Sequence, residues 1–344
     1  MNSNPFFALS RFRTFAFLGL IFCFAACKHV PKQNYADMDK ELAELCQQID
    51  RHPDNAEYYY LRASYYYHHK QIEPALDDIR TAVKLNANDA RFHVLFADLY
   101  FAQRETDQAE ELLQKAIALD PNNNEARLKL SELYYLLGMY DDCNTALDEA
   151  VKLKNHNPKA YLIRARCLKE QGDTTGYLRM LQLVLDQDPK ETQAYLELGL
   201  YYQQQHNPLG ITYYQNALQV EPNNKNVNFN LAQFYNDLGD TERAIEQYKV
   251  LLNIDPDYMP ALNNLGYIYL VKESRYDEAI AMFSRVIEID STFITAVVNR
   301  AIAFEEKKEY DYARQDYRYA QQLDPDCKPV INGLSRLDKI KKQP

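Results

Sequence analysis

The 344-residue chain has no tryptophan, only nine glycines and few runs of β-branched residues. Alanine, leucine, glutamate, glutamine, lysine and tyrosine dominate, which favours helix over strand. The formal net charge is −10, and residues 1–26 carry two arginines and no acid, so the charge without them is −12. Phosphate contacts need clustered lysine and arginine, so this acidic chain is a poor candidate for binding nucleic acid.

Catalytic and metal-binding motifs are also missing. The sequence contains no HExxH, GxGxxG, P-loop or GxSxG, and its seven histidines form no Cys/His pattern. Carboxylate pairs such as Glu110-Glu111 fit the solvated faces of helices. We therefore expect no enzyme activity, no cofactor, no metal site and no small-molecule substrate.

The first 26 residues have the pattern of an export signal. Arg11 and Arg13 precede an apolar run that is too short to span a bilayer comfortably. The run ends in Phe-Ala-Ala before Cys27, which resembles the lipobox of bacterial lipoproteins, where the cysteine is lipidated, for example with palmitate. The alternative is an ordinary secretory signal, in which Cys27 is incidental.

The lipobox resemblance implies a location as well. Cys27 would anchor the chain by its acyl groups, and residues 27–37 would form a polar tether. Lys28 follows the cysteine in place of the aspartate that retains some lipoproteins at the inner membrane. We therefore expect the envelope of a diderm bacterium, with the chain on the periplasmic face of the outer membrane.

A pattern with a period of about 34 residues runs through the rest of the chain. Asp-Pro or Glu-Pro pairs recur, and residues 242–270 show the unit most clearly: an apolar helical stripe, a stop at Asp255-Pro256 and a new stripe. The repeats are placed at 56–89, 90–123, 124–157, 158–191, 192–224, 225–258, 259–293 and 294–327. Small residues such as Ala232, Gly266 and Ala301 recur where two helices would touch.

These motifs resemble the tetratricopeptide repeat (TPR) family over residues 56–327. The resemblance implies an all-α fold, a right-handed α-solenoid of about eight helix hairpins making roughly one superhelical turn. Residues 38–55 would cap its N-terminal end and residues 328–344 its C-terminal end, because an open solenoid end exposes apolar surface.

Four cysteines lie beyond the signal: Cys46, Cys143, Cys167 and Cys327. They show no CxxC spacing and could pair in three ways. Cys143 and Cys167 fall on neighbouring predicted helices, which allows a bridge, but unpaired thiols are favoured.

Two sets of residues are candidates for the concave groove that the family lines with its first helices. The first set follows an asparagine column and consists of Asn230, Gln233, Asn263, Asn264, Tyr267 and Asn299. Amides both donate to and accept from a peptide backbone, although asparagine is also common at this position of the family. The second set is Tyr60 and Tyr67, an aromatic floor for a peptide or glycan, or simply shielding of helix joints.

The sequence thus predicts a non-catalytic envelope adaptor that holds a protein or peptide partner in its groove near the membrane. The alternative is a structural subunit of an envelope secretion or polysaccharide-export assembly, with interfaces on its convex surface and caps.

Overall fold

The computed structural model describes residues 38–340. Within that range the chain forms 18 α-helices and no strand, which confirms the all-α prediction. The export signal, Cys27, the tether and residues 341–344 lie outside the described residues. The chain divides after Ala126 into two compact units, which are described separately.

The first unit contains five helices and the beginning of a sixth, and the second contains the rest. The helices of the first unit are α1 Lys40–Arg51, α2 Ala56–His68, α3 Ile72–Leu85, α4 Ala90–Ala102, α5 Thr106–Leu119 and the start of α6 Asn124–Leu136. Those of the second unit are α7 Tyr140–Leu153, α8 Pro158–Glu170, α9 Thr174–Gln187, α10 Thr192–Gln204, α11 Leu209–Val220, α12 Lys225–Asp237, α13 Thr241–Ile254, α14 Met259–Val271, α15 Tyr276–Ile289, α16 Ile294–Glu306, α17 Tyr310–Leu323 and α18 Lys328–Ile340.

Each hairpin consists of a first helix and a second helix, for example α2 and α3. Aspartates end several of the second helices and start the turn that follows. Asp255 caps α13 with an extended backbone (φ −139°), the conformation favoured for a residue before proline. Its side chain then accepts a hydrogen bond from Asp257 N at 3.2 Å. Asp120 and Asp324 do the same after α5 and α17, accepting from residues two positions later. The Asp-Pro pairs therefore stop the helices and close the turn with one side chain.

The turn inside each hairpin uses a left-handed residue. Among residues 38–340, positive φ recurs once per repeat, at Lys70, Arg104, Gly138, Gly172, His206, Gly239, Ser274 and Lys308. Each follows the end of a first helix, where the left-handed conformation lets backbone N–H groups reach the last carbonyls. Three positions hold glycine, and the other five carry a side chain in a conformation that glycine adopts most easily.

Small residues allow the two helices of a hairpin to approach closely. A Cβ atom added to Gly199 on α10 would lie 2.5 Å from Tyr214 Cε1 on α11. One added to Gly266 on α14 would lie 2.8 Å from Phe283 Cε1 on α15. Both rings are fully buried, so each aromatic side chain fills the space left by a glycine on its partner helix.

Each unit has its own core of apolar side chains between consecutive helices. In the first unit, α2, α3 and α4 share a cluster that includes Leu76, Ile79 and Phe92. In the second unit, one cluster runs from α11 to α16 and includes Tyr214 and Tyr248. At the ends of the described chain, α1 packs on α2 in the first unit and α18 packs on α17 in the second.

Candidate partner-binding surface

The asparagine column lies on α12, α14 and α16, the first helices of three successive hairpins. Asn230, Asn264 and Asn299 each stand two residues before a small, fully buried residue of the hairpin contact, and all three are half-buried. The helices are also linked directly: α14 contacts α16, and Lys272 Nζ after α14 donates to Asn236 Oδ1 on α12 at 2.7 Å. The three asparagines therefore occupy equivalent positions on adjacent helices.

Asn264 is engaged by its neighbours. Its Nδ2 donates to the Tyr248 hydroxyl on α13 at 3.2 Å, and its Oδ1 accepts from Asn263 Nδ2 at 3.4 Å. Burial raises the pKa of Tyr248 to about 12, against the lowering effect of the hydrogen bond from Asn264. This asparagine thus joins two hairpins, while the buried Asn263 Oδ1 has no hydrogen-bond partner among the described residues.

Asn230 and Asn299 differ from Asn264 because neither makes a hydrogen bond to the preceding second helix. Before Asn230, the Tyr214 hydroxyl donates to Gln203 Oε1 at 2.6 Å. Before Asn299, the equivalent residue is Phe283, which has no hydroxyl. Within residues 38–340, the side-chain amides of Asn230, Gln233 and Asn299 make no hydrogen bond.

Tyr267 adds an aromatic side chain next to these amides. It follows the buried Gly266 by one residue and is 48% exposed, so its ring turns away from the hairpin contact. Gln233 occupies the same position on α12, directly after the buried Ala232. We call the surface defined by Asn230, Gln233, Tyr267 and Asn299 the first-helix face.

Tyr60 and Tyr67 belong to α2 in the first unit. The Tyr60 ring stacks on Phe92 with centroids 5.0 Å apart, and the Arg91 guanidinium lies 5.2 Å from its centroid. Burial raises the pKa of Tyr60, partly offset by Arg91. Tyr67 is half-buried beside His68, with ring centroids 5.8 Å apart. Tyr60, on α2, therefore contacts α4, which is the first helix of the next hairpin.

An acidic member of the asparagine column was missed by the sequence reasoning. Glu197 stands two residues before Gly199 on α10 and is only 6% exposed. It accepts from Arg166 Nε on α8 at 2.8 Å and from the Tyr177 hydroxyl on α9 at 3.4 Å. Burial, followed by the charge of Glu197, raises the pKa of Tyr177. Its position two residues before Gly199 is the signal that could have placed Glu197 in the same column as the asparagines.

The described chain contains neither a metal-binding cluster nor a membrane-spanning helix. No cluster of three or more His, Cys, Asp or Glu side chains able to hold a metal ion occurs within residues 38–340. The same residues include no helix that combines the length and apolar character needed to cross a membrane.

Comparison with known families identifies the repeat. Three tetratricopeptide repeat models match this chain, one at residues 100–167 and 202–265, a second at 159–191 and a third at 260–293, together more than half of its length. The chain belongs to the tetratricopeptide repeat family. A model described as anaphase-promoting complex, cyclosome, subunit 3 also matches, at residues 40–116. TPR proteins bind protein partners, and their stacked repeats build extended binding surfaces.

Curated relatives of this TPR chain match over about half of its length. DnaJ homolog subfamily C member 3 from Gallus gallus is 23% identical over 197 residues, which is 53% of this chain and 39% of the relative. The probable UDP-N-acetylglucosamine–peptide N-acetylglucosaminyltransferase SPINDLY from Hordeum vulgare is 25% identical over 163 residues, 45% of this chain and 17% of the relative. This TPR chain therefore covers less than half of either relative.

A solved structure shows the same fold. The C-terminal part of a TPR repeat-containing protein from Cytophaga hutchinsonii aligns with a TM-score of 0.59 and 18% identity, over 70% of this chain and 98% of the other. The described chain packs its helices in consecutive pairs, as is typical of a TPR solenoid.

Proposed function

We propose that this TPR protein is a non-catalytic adaptor that binds an extended segment of a partner protein along the first-helix face. The observation that carries the proposal is that the side-chain amides of Asn230 and Asn299 make no hydrogen bond within the described residues. Gln233 and the exposed ring of Tyr267 lie beside them. An extended peptide presents backbone N–H and C=O groups at regular intervals, and amides can satisfy both kinds.

The engaged asparagine refines this proposal. Asn264 already donates to Tyr248 and accepts from Asn263, so it serves to hold α14 against α13. We therefore assign peptide contacts to Asn230, Gln233, Tyr267 and Asn299, with Asn263 and Asn264 in the supporting layer. Tyr60 and Tyr67 would contribute an aromatic contact of their own in the first unit.

The proposed location is the periplasmic face of the outer membrane, with the chain anchored by acyl groups on Cys27. Anchoring would keep the adaptor at a high effective concentration near membrane-bound partners. Incorporation of labelled palmitate should disappear on the change Cys27→Ser. Incorporation that persists in that variant would contradict the anchor and leave the adaptor proposal intact.

The adaptor proposal is tested by removing the amides. The triple variant Asn230→Ala, Gln233→Ala, Asn299→Ala should lose its crosslinked partners in intact cells, as identified by mass spectrometry. Each lost hydrogen bond is worth about 1 kcal/mol, so affinity for an isolated partner should fall by about 100-fold.

A matched control removes three exposed amides from the second helix α17: Gln315→Ala, Gln321→Ala and Gln322→Ala. This control should keep every partner, and both variants should keep the helical circular dichroism of the parent chain. If the first-helix variant also keeps every partner, the adaptor proposal is wrong. Large interfaces elsewhere, as in a structural subunit of an envelope secretion or polysaccharide-export assembly, would then explain binding better.

A further inference from the structure

Two cysteines from neighbouring hairpins meet inside the second unit. Cys143 lies on α7 and Cys167 on α8, and the two helices pack against each other. Their Sγ atoms are 3.1 Å apart, and both residues are completely buried. They are separated by 24 residues in the sequence, so this contact depends on the packing of one hairpin on the next.

The contact is close to the geometry of a covalent bond. The S–S distance in a disulfide is about 2.05 Å, so the two sulfurs need to approach by only about 1 Å. Among the other cysteines of the described residues, Cys46 accepts a hydrogen bond from Arg62 on α2, and Cys327 follows α17 and packs with the C-terminal cluster.

The two thiols have opposite pKa shifts because they share one hydrogen bond. A hydrogen bond from Cys143 lowers the pKa of Cys167, and the same bond raises the pKa of Cys143. The neighbouring Arg164 guanidinium also favours the thiolate form of both groups. Cys167 therefore loses its proton first, and the thiolate is the form that attacks a disulfide.

We propose that Cys143 and Cys167 form an intrachain disulfide that joins α7 to α8 and so staples two successive hairpins. The oxidant is a disulfide, either of a thiol–disulfide oxidoreductase or of glutathione. The Cys167 thiolate attacks one sulfur of that disulfide and releases the other as a thiolate. Cys143, after losing its proton, then attacks the Cys167 sulfur of the mixed disulfide and releases the oxidant's remaining sulfur as a thiolate. The two thiols lose two electrons and two protons in total, and the oxidant is reduced to two thiols.

Burial sets the time at which the bond forms. Both sulfurs are inaccessible once α8 has packed fully on α7, so the exchange belongs to the last step of folding, when the two helices already bring the thiols together but an oxidant still reaches them. After folding, the same burial protects the bond from external reductants. The inference does not depend on the proposed adaptor function, and it can be tested with the chain in solution.

The test maps the thiols of the full chain. The chain is unfolded with reductant, refolded in oxidised and reduced glutathione, alkylated in denaturant and digested with trypsin. Cleavage after Lys129, Lys152, Arg166 and Lys169 places the two cysteines in separate peptides, residues 130–152 and 167–169. We expect these peptides to be recovered linked, and to separate on reduction.

Two variants and a melting experiment sharpen the result. Cys46→Ala with Cys327→Ala should keep the linked peptides, whereas Cys143→Ala should abolish them. The oxidised parent chain should melt about 5 °C above the reduced chain. Recovery of both peptides as alkylated thiols, a link to Cys46 or Cys327 in their place, or equal melting temperatures would each overturn the proposal.

Discussion

The ion pair between Arg62 on α2 and Asp78 on α3 offers the sharpest test of the energetics of this fold. The guanidinium donates to both carboxylate oxygens at 2.7 Å, and the two side chains are only 4% and 6% exposed. Arg62 also donates to Cys46 Sγ on α1 at 3.3 Å. One side chain thus ties together the first three helices.

Replacing Arg62 with methionine keeps the volume but leaves the Asp78 carboxylate buried without its partner. Breaking a buried pair in this way costs about 3–5 kcal/mol. The exposed pair Arg80–Asp77 is a control in the same hairpin, because its side chains are 50% and 65% exposed and its N–O distance is 3.7 Å. Exposed pairs contribute about 0–1 kcal/mol, so Arg80→Met should change little.

Hydrogen–deuterium exchange is the suitable assay, because repeat proteins open locally and the loss should concentrate in the first hairpin. The free energy of opening for amides in Ala56–His68 and Ile72–Leu85 should fall by about 3 kcal/mol or more in Arg62→Met. A double variant, Arg62→Met with Asp78→Leu, should recover most of that loss, because it leaves no buried charge.

The pH dependence gives a second readout of the same variant. Burial raises the pKa of Asp78, and Arg62 lowers it. Without Arg62 the folded-state pKa rises further above the unfolded value. The loss in free energy of opening, relative to the parent chain, should therefore be largest at neutral pH. It should shrink as the pH falls through that raised pKa, because protonation removes the buried charge. The reasoning would be refuted if Arg62→Met lowered the free energy of opening by no more than Arg80→Met does, or if the loss in Arg62→Met did not depend on pH.

Three further predictions concern the helix joints of the second unit. Gly199→Ala should lower stability by about 1–3 kcal/mol in urea unfolding, because its Cβ would overlap the Tyr214 ring; an unchanged urea midpoint would show that the ring can move aside. Tyr248→Phe should cost about 1 kcal/mol, because it removes the hydroxyl that accepts from Asn264; exchange rates in α14 equal to the parent's would contradict this role. Burial raises the folded-state pKa of Tyr248 to about 12, so the stability associated with its neutral hydroxyl should be complete below pH 10 and should be lost as the pH rises towards 12. Parent and Tyr248→Phe chains with the same alkaline unfolding profile would argue against this shift.

The helical architecture could be predicted because its determinants are local in sequence. Apolar spacing, small residues such as Gly266 and the Asp255-Pro256 stop each act within one turn or one hairpin. The periodic repetition of these signals then identifies which helix packs on which. The fold class followed from that repetition, and the structure confirms it.

The chemistry of the asparagine column could not be predicted in the same detail. The spacing places Asn230, Asn264 and Asn299 at equivalent positions, but whether an amide is engaged also depends on the side-chain conformation on the preceding second helix. Tyr214 is equivalent to Tyr248, yet it donates to Gln203 and makes no hydrogen bond to Asn230. Tyr248 engages Asn264, whereas Phe283 leaves Asn299 without a partner. These hydrogen bonds depend on side-chain conformations where two helices meet, and the repeat pattern of the sequence does not predict them. The sequence allows a bridge between Cys143 and Cys167, but the 3.1 Å approach of their sulfurs depends on how α7 packs on α8.

The left-handed turns have a consequence for how this chain can change. Five of the eight turns with positive φ in the described chain hold Lys70, Arg104, His206, Ser274 or Lys308 where glycine would relieve backbone strain. A left-handed residue with a side chain costs about 1–2 kcal/mol, partly offset because glycine loses more conformational freedom on folding. Because stability in repeat proteins adds up hairpin by hairpin, glycine could be introduced at one turn at a time. The chain thus keeps a reserve of stability that mutation can draw on while the first-helix face evolves towards a new partner.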